Sequence, residues 1–283
     1  MIIDHSDIPL VSIVVPCYNS AEYLSETLDS LLAQTYSNFE IIAIDDGSTD
    51  HTVQILNQYA MQDSRFNILL QENTYCVIAR QNAIAHAKGK YLVCLDSDDK
   101  LAPTYLEKCV EIAERQPEIG IVYSEAQLFG RINQSWSLPP YDIQDFLIEN
   151  SIYISALIRK SEFDAVGGFD TRLLYFEDWE LFISLIRRGA QVYRIKEPLF
   201  FYRLRHNQSS ITDEVSKHKR SENLFYLYGK HKEFYEQNNI YFSDLFLGFK
   251  SDKDHKRRYY KKPLRKLFYK WFKPKKYQKI YSK

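Results

Sequence analysis

Two aspartates separated by one residue, Asp96 and Asp98, follow the apolar run of residues 91–95. If that run continues as an extended chain, alternate side chains point to the same side and bring the two carboxylates together. Two convergent carboxylates suit a hard divalent cation, Mg²⁺ or Mn²⁺, which takes oxygen ligands and keeps positions open for phosphate oxygens. Alternatively, residues 97–99 only cap a helix that begins near Pro103. The spacing leaves both interpretations open.

A second acidic segment, residues 45–50, follows the apolar run of residues 39–44. Its Asp, Gly, Ser and Thr residues are common in turns, and Thr49 or Asp50 could cap the next helix. Turn formation does not explain two adjacent carboxylates, Asp45 and Asp46, at a strand end, since like charges repel. We therefore expect one of the two to accept hydrogen bonds from a ligand.

A third acidic pair, Glu177 and Asp178, precedes an amphipathic segment that predicts a helix ending near Gly189. The helix dipole favours acidic residues in a first turn, which is the structural interpretation. The functional interpretation is a general base, in which Asp178 takes a proton from an acceptor hydroxyl. Arg80 has two interpretations as well, a solvated side chain on a helix flank or a cation that binds a diphosphate.

Short apolar runs alternate with amphipathic stretches along the first 125 residues, which must position these side chains. Strands are predicted at residues 11–16, 39–44, 66–70, 91–95 and 119–123, with helices between them. This alternation predicts an α/β fold, with a mostly parallel sheet covered by helices on both faces. Ligands bind such sheets beyond the carboxyl ends of the strands, so we expect residues 16–19, 45–50 and 96–99 to converge at one edge.

The composition is that of an ordinary globular protein. The chain has 283 residues, 45% hydrophobic and 26% charged, and its 9 Gly and 9 Pro exclude a collagenous or low-complexity chain. No apolar run approaches the roughly 18 residues of a membrane-spanning helix, and the first residues are acidic where a secretory signal is basic. We therefore expect a cytoplasmic protein. The cysteines show no paired metal spacing and predict reduced, mostly buried thiols rather than a zinc or redox site: Cys17, Cys76, Cys94 and Cys109.

Charge is unevenly divided along this chain of zero net charge. Residues 250–283 contain 15 Lys and Arg but two Asp, a net charge of +13, so residues 1–249 carry −13. Apolar residues recur in this tail at helical spacing among basic ones: Leu264, Leu267, Phe268, Trp271 and Phe272. Such a basic amphipathic helix predicts peripheral contact with an anionic membrane at its cytoplasmic face. The alternatives are a helix packed on the acidic body and a solvated, disordered tail, whereas nucleic-acid binding is not expected because the body is acidic.

Motifs spread over about residues 9–210 together resemble the family 2 glycosyltransferases of the GT-A fold. They are residues 11–19 (VSIVVPCYN), 45–50 (DDGSTD), 79–82 (ARQN), 96–99 (DSDD), 167–170 (GGFD) and 177–179 (EDW). Each motif is weak alone, but their order and spacing are specific. We place the catalytic domain at residues 1–213, a helical extension at 214–249 and the basic amphipathic tail at 250–283.

The resemblance implies a role for each matching residue. It assigns Asp178 as the catalytic base and Asp98 as the direct ligand of a divalent cation, Mg²⁺ or Mn²⁺. It places Glu177 and Trp179 in the acceptor or donor-sugar region. The residues that it assigns to nucleotide binding are Pro16, Tyr18, Asn19, Asp46, Arg80 and Asp96.

One position departs from the family's pattern. After a Tyr-Arg pair that corresponds to Tyr202 and Arg203, the family often has a histidine that contacts the metal or the diphosphate. This chain has Arg205 at that position and His206 one residue later, so either residue could serve.

The implied reaction is inverting transfer of a sugar from a nucleotide diphosphate sugar, a UDP-sugar being favoured, to a hydroxyl group. The Gln-x-x-Arg-Trp signature of processive synthases is absent after Asp178, which favours single additions. With the basic tail, this predicts a glycan or lipid-linked acceptor in surface polysaccharide synthesis, selected by the irregular residues 131–165. The alternatives are a sugar nucleotidyltransferase, although no glycine-rich loop follows the first predicted strand, and a non-catalytic, membrane-associated protein that binds nucleotide sugars.

Overall fold

A computed structural model of the chain describes residues 8–205 and 216–247. The chain divides into two compact units, Met1–His231 and Lys232–Lys283. The boundaries that we expect at residues 213 and 249 stay predictions. The tail of residues 250–283 and His206 lie outside the described residues.

Strands and helices alternate through the first unit. In chain order they are β1 (Val11–Cys17), α1 (Leu24–Leu32), β2 (Phe39–Asp46), α2 (Thr52–Gln62), β3 (Phe66–Gln71), α3 (Cys76–Ile84), β4 (Tyr91–Cys94), β5 (Lys100–Leu101), α4 (Tyr105–Arg115), β6 (Ile119–Gly130), β7 (Gln134–Trp136), α5 (Ile143–Phe146), β8 (Leu157–Arg159), α6 (Lys160–Val166), α7 (Glu177–Arg187) and β9 (Gln191–Leu204). Helix α8 (Lys217–Gln237) contains non-helical backbone at His231, where the first unit ends, and α9 (Phe242–Leu247) lies in the second unit.

Strands β3, β2, β1 and β4, in that order, form the parallel part of the sheet. Every residue of β1 is buried, and so is β2 apart from one half-buried position. Continuous apolar runs of this kind are typical of parallel strands covered on both faces. Cys17 lies opposite Asp45, which aligns the carboxyl ends of β1 and β2.

The rest of the sheet is mixed. Strand β8 pairs antiparallel with both β4 and β6, and β6 then runs parallel to β9 as far as Gly130 and Leu204. Short strands β5 and β7 add antiparallel pairs to β9 and β6. The predicted fold class, a mixed and mostly parallel α/β sheet with helices, is therefore confirmed.

Helix α1 shows how the helices cover the sheet. Its residues Leu24, Leu28 and Leu31 recur at helical spacing and are buried, while Leu32 is half-buried. The prediction of buried cysteines also holds, because all four are free thiols and only Cys76 is not fully buried. Among the described residues, no helix is both long and apolar enough to cross a bilayer.

Several predicted elements differ from the structure. The extended segment that we expected to carry Asp96 and Asp98 ends at Cys94, and the chain then turns, with the Asp99 N–H donating to the Asp96 carbonyl. Residues 97–99 do not cap α4, whose cap residue Thr104 makes no side-chain hydrogen bond. The irregular residues 131–165 contain the single turn α5, and the long strand β9 was missed.

Candidate active site

Three loops meet where β1, β2 and β4 end, and hydrogen bonds join them. The Asn19 carboxamide oxygen accepts from the Thr49 N–H at 2.8 Å, while the Asn19 N–H donates to the Ser48 hydroxyl at 2.9 Å. The Ser20 and Ser97 hydroxyl oxygens are 2.6 Å apart, which joins the loop after β1 to the turn after β4. The predicted convergence at one edge of the sheet is thus present in the structure.

Asp46 is buried at this edge, and its Oδ1 atom receives the hydrogen bonds. The donors are the Gln71 side chain at 2.6 Å and the Thr74 N–H at 2.8 Å, which attach the loop after β3 to the end of β2. Exposed aromatic rings stand on the flanking loops, Tyr18 after β1 and Tyr75 before α3. Pro16 is buried within β1 opposite Ile44 and leads the chain to Tyr18.

The other acidic residues of the second segment have structural partners. Asp50 accepts from the Thr52 N–H at 2.9 Å and from the Ala21 N–H at 3.0 Å, so it binds the backbone where α2 begins, although the cap residue of α2 is His51. Asp45 accepts from the Ser48 N–H through Oδ2. Its buried Oδ1 has no hydrogen-bond partner in the described part of the chain.

Arg80 joins the two sides of the site. It is 4% exposed, and its Nη2 and Nη1 atoms lie 2.6 Å from Asp96 Oδ1 and from Glu177 Oε1. The interpretation of Arg80 as a solvated flank residue is therefore wrong. Because both carboxylates hold this guanidinium, Arg80 connects α3, the end of β4 and the start of α7.

Asp178 has a separate set of contacts. Its Oδ1 accepts from the Trp179 N–H at 2.7 Å, and its Oδ2 accepts from the Asn150 amide at 3.0 Å. Burial, and secondly the charge of Glu177, raises the pKa of Asp178 to about 7. A carboxylate with this pKa changes protonation near neutral pH, which suits a general base.

On either side of Asp178, the Glu177 side chain is 12% exposed and Trp179 is buried. Burial raises the pKa of Glu177, although Arg80 opposes this effect. Trp179 is 3% exposed, and its indole N–H donates to the Phe146 carbonyl at 2.9 Å. Trp179 therefore attaches α7 to α5 within the site's supporting structure.

The turn after β4 is attached to the end of β9. Asp98 Oδ2 lies 2.7 Å from Arg205 Nε, and Asp99 Oδ1 accepts from the Arg203 N–H at 2.8 Å. Burial raises the pKa of Asp98, with Arg205 opposing this effect and Asp96 adding to it. Arg205 thus lies at the position where the resemblance led us to expect a histidine.

In the described ranges, no three His, Cys, Asp or Glu side chains are grouped so as to hold a metal ion. Mg²⁺, however, usually takes only one or two protein carboxylates and completes its shell with water and substrate phosphates. Asp96 and Asp98 meet this smaller requirement, since both stand in the turn after β4 that the Asp99 N–H closes onto the Asp96 carbonyl. The residues present therefore fit a divalent cation that is shared with a bound diphosphate.

The family model of glycosyl transferase family 2 matches residues 12–169. The chain is also 32% identical over 226 residues to TuaG of Bacillus subtilis (strain 168), named as a teichuronic acid biosynthesis glycosyltransferase, with 78% of this chain and 87% of TuaG covered. The chain belongs to glycosyltransferase family 2.

Solved structures share the fold of this family 2 member at lower identity. S. aureus TarS 1–349 in complex with UDP-GlcNAc matches with a TM-score of 0.63 and 19% identity, covering 73% of this chain and 61% of the TarS fragment. The mannosyltransferase PcManGT from Pyrobaculum calidifontis, in complex with GDP-Man and Mn²⁺, matches with a TM-score of 0.55 and 22% identity, covering 69% of this chain and 56% of that protein. At this identity the likeness shows the GT-A fold alone.

Sequence reasoning missed the residues of this family 2 site that hold its carboxylates. Gln71 and Thr74 bind Asp46, Asn150 binds Asp178, and no motif marks these three residues. The only available signal for Gln71 and Thr74 was their position after a predicted strand. Asn150 stands in the irregular stretch of residues 131–165 and gave no signal.

Proposed function

We propose that this family 2 enzyme transfers a single sugar, with inversion, from a nucleotide diphosphate sugar to a hydroxyl of a glycan or lipid-linked acceptor in surface polysaccharide synthesis. The observation that carries the proposal is Asp178, a half-buried carboxylate with a pKa of about 7. It lies next to Glu177, which Arg80 connects to Asp96 at the end of β4. A candidate base and a candidate nucleotide site are thus joined by one side chain.

In this mechanism Asp178 accepts the proton of the acceptor hydroxyl. The hydroxyl oxygen attacks the anomeric carbon of the donor sugar, and the bond from that carbon to the diphosphate breaks, so that the nucleoside diphosphate leaves. The nucleotide lies across the loops after β1, β2 and β4, and the residues proposed to bind it are Pro16, Tyr18, Asn19, Asp46, Arg80 and Asp96. Asp98 would hold Mg²⁺ or Mn²⁺, and Arg205 or His206 would add a contact to the metal or the diphosphate. A divalent cation held there would supply positive charge that stabilises the leaving diphosphate.

The donor and pathway rest on the relatives. TarS is described in complex with UDP-GlcNAc, which favours a UDP-sugar, and PcManGT is described with GDP-Man and Mn²⁺, which supports use of a divalent cation. The name of TuaG refers to the synthesis of teichuronic acid, a cell-surface polysaccharide. We propose a related acceptor for this chain, with Glu177 and Trp179 supporting the acceptor side.

The experiment that tests this function measures free UDP released from UDP-GlcNAc in the presence of Mn²⁺. We expect release by the wild type and about a 100- to 10,000-fold loss in Asp178→Asn, because general base catalysis contributes that much. Binding of UDP to Asp178→Asn should stay close to that of the wild type, whereas Asp98→Ala should lose release and metal-dependent UDP binding together. Asp164→Asn, which removes an exposed carboxylate paired with Lys160, is the matched control and should behave like the wild type.

Two outcomes would contradict the proposal. Normal turnover of Asp178→Asn would remove the base. Binding of UDP-GlcNAc without any release by the wild type would instead favour a non-catalytic sugar-nucleotide binder. A thermal-shift comparison of UDP, GDP and dTDP sugars with Mn²⁺ identifies the donor class, because only a bound ligand raises the unfolding temperature.

We also propose that residues 250–283 contact an anionic membrane. This proposal rests on their net charge of +13 and on the helical spacing of their apolar residues, since they lie outside the described part of the chain. Deletion of residues 250–283 should abolish cosedimentation with anionic vesicles and leave UDP release intact. Equal cosedimentation of the truncated and full chains would overturn it.

A further inference from the structure

Asn150 donates a hydrogen bond to the candidate base, although it lies outside the sequence motifs of the site. Its amide nitrogen lies 3.0 Å from Asp178 Oδ2, and its own carboxamide oxygen accepts from the Ile152 N–H at 3.0 Å. An N–H can donate only to the oxygen of the amide, so the Ile152 contact determines which end of Asn150 faces Asp178. The NH₂ group therefore points to the carboxylate.

The backbone around Asn150 is held in place by buried neighbours. Phe146 and Leu147 precede Asn150 and are fully buried, and Ile152 and Tyr153 follow it at 1% and 7% exposure. The Tyr153 hydroxyl accepts from the Ser124 N–H at 2.8 Å, which connects this stretch to β6. Because its backbone is fixed by these buried neighbours, the Asn150 side chain can orient the Asp178 carboxylate.

The carboxylate of Asp178 is held at both oxygens. Oδ1 accepts the N–H of Trp179 from its own helix, and Oδ2 accepts the amide of Asn150 from another part of the chain. Each carboxylate oxygen has two lone pairs, so these contacts fix the plane of the group and leave acceptor capacity for a hydroxyl proton. Both donors favour the charged form of the carboxylate.

We propose that Asn150 is a positioning residue, whose amide orients the Asp178 carboxylate and holds it in the ionised form that a base requires. This inference rests on the proposed function of Asp178. The other titratable or charged groups that act on Asp178 come from several elements, namely Glu177 on α7, Arg80 on α3, Asp96 after β4 and Tyr175 before α7. None of them is changed by a substitution at Asn150.

The first experiment measures the pKa of Asp178 directly and needs no donor. Protein labelled with ¹³C at aspartate carboxyl groups is titrated by NMR, and the Asp178 resonance is the one missing in Asp178→Asn. We expect Asn150→Ala to raise the pKa of Asp178 by about 1 pH unit, because a hydrogen bond to the charged form is lost. Asn150→Asp should raise it further, because it adds a negative charge, while it keeps an acceptor for the Ile152 N–H and so preserves the turn.

The matched control is Asn133→Ala, at an exposed asparagine in the same irregular stretch, and it should leave the titration unchanged. The second experiment follows UDP release from UDP-GlcNAc with Mn²⁺ against pH. We expect the acid limb of Asn150→Ala to move to higher pH by the same amount, and its plateau kcat to fall about tenfold with an unchanged KM for UDP-GlcNAc, since the base is less well oriented.

The outcomes separate the two proposals. An Asp178 resonance that titrates alike in Asn150→Ala and the wild type would overturn the role of Asn150, even if Asp178 is the base. Normal turnover of Asp178→Asn would overturn the base, and with it the catalytic meaning of the contact. A purely structural Asn150 would lower stability without moving either pH profile.

Discussion

The two sides of the sheet build their parts of the site in different ways. In the parallel half, residues 8–94 with β1–β4, short loops place polar groups directly at the ends of buried strands. In the mixed half, residues 100–205 with β5–β9, the candidate base stands on α7 and is held by a stretch distant along the chain. A regular strand-helix repeat thus positions the proposed nucleotide site, whereas the proposed base is held by an irregular stretch of the chain.

Substitution of Arg80, which connects the two halves, should cause the largest loss of stability. Arg80→Met leaves the buried carboxylate of Glu177 without its cation, which costs about 3–5 kcal/mol of unfolding free energy. Arg80 opposes the raised pKa of Glu177, so its removal should let Glu177 take up a proton. Urea unfolding should therefore show a smaller loss at pH 5 than at pH 8.

The control for Arg80 lies in the parallel half. Arg65 forms an ion pair with Asp63 at 2.7 Å, and the two side chains are 31% and 22% exposed. Arg65→Met should cost under about 1 kcal/mol, because solvent screens such a pair. Equal losses for Arg65→Met and Arg80→Met would contradict the role of Arg80 as the connection between the halves.

The pH dependence of turnover tests the candidate base, Asp178, in the mixed half. With a pKa of about 7, Asp178 is half ionised at neutral pH and about 1% ionised two pH units lower. Sugar transfer should therefore fall about tenfold for each pH unit below 7, while UDP affinity changes little. Rate measurements from pH 5 to pH 9 test this, and an acid limb with its midpoint near 4 would show a base with an ordinary carboxyl pKa.

Trp179 tests the mixed half alone, with a smaller effect. Trp179→Phe keeps a ring but loses the N–H that donates to the Phe146 carbonyl. A buried carbonyl without a partner costs about 1–2 kcal/mol, measured by urea unfolding. Trp136→Phe is the control. Trp136 is only half-buried, and its ring packs on the Tyr202 ring, but its indole N–H makes no described hydrogen bond, so its loss should cost less.

A substitution at Tyr75, in the parallel half, should raise stability instead of lowering it. Its backbone has φ 73° and ψ 150°, a region that favours glycine, although the side chain is 64% exposed. Tyr75→Gly should raise the unfolding free energy by about 1 kcal/mol, since relief of strain exceeds the entropy cost of glycine. Tyr75→Phe retains both ring and strain and should match the wild type, so a destabilised Tyr75→Gly would show that the ring holds the loop.

The sequence predicted the parallel half well because its signals are local. The runs that became β1 and β2 are continuous and apolar, and the buried residues of α1 recur at helical spacing, so each signal lies within a short window. Strand β9 was missed because its charged and aromatic residues lack a clear period, and its place is determined by pairing with β6. The turn after Cys94 was missed because its partners are Arg203, at the end of that unpredicted strand, and Arg205, directly after it.

The sequence by itself determined the residue types of the site and the edge of the sheet at which they collect, because parallel strands end on a common side. It also determined that the chain belongs to glycosyltransferase family 2, through the order of its motifs. Only the tertiary structure decided how deeply those side chains are buried and which partners they bind. Arg80 is buried between Glu177 and Asp96, and Asn150 donates a hydrogen bond to Asp178. Both arrangements depend on residues far apart in the chain. Charges buried in this way interact strongly because water no longer screens them, and no local sequence pattern records that exclusion of water.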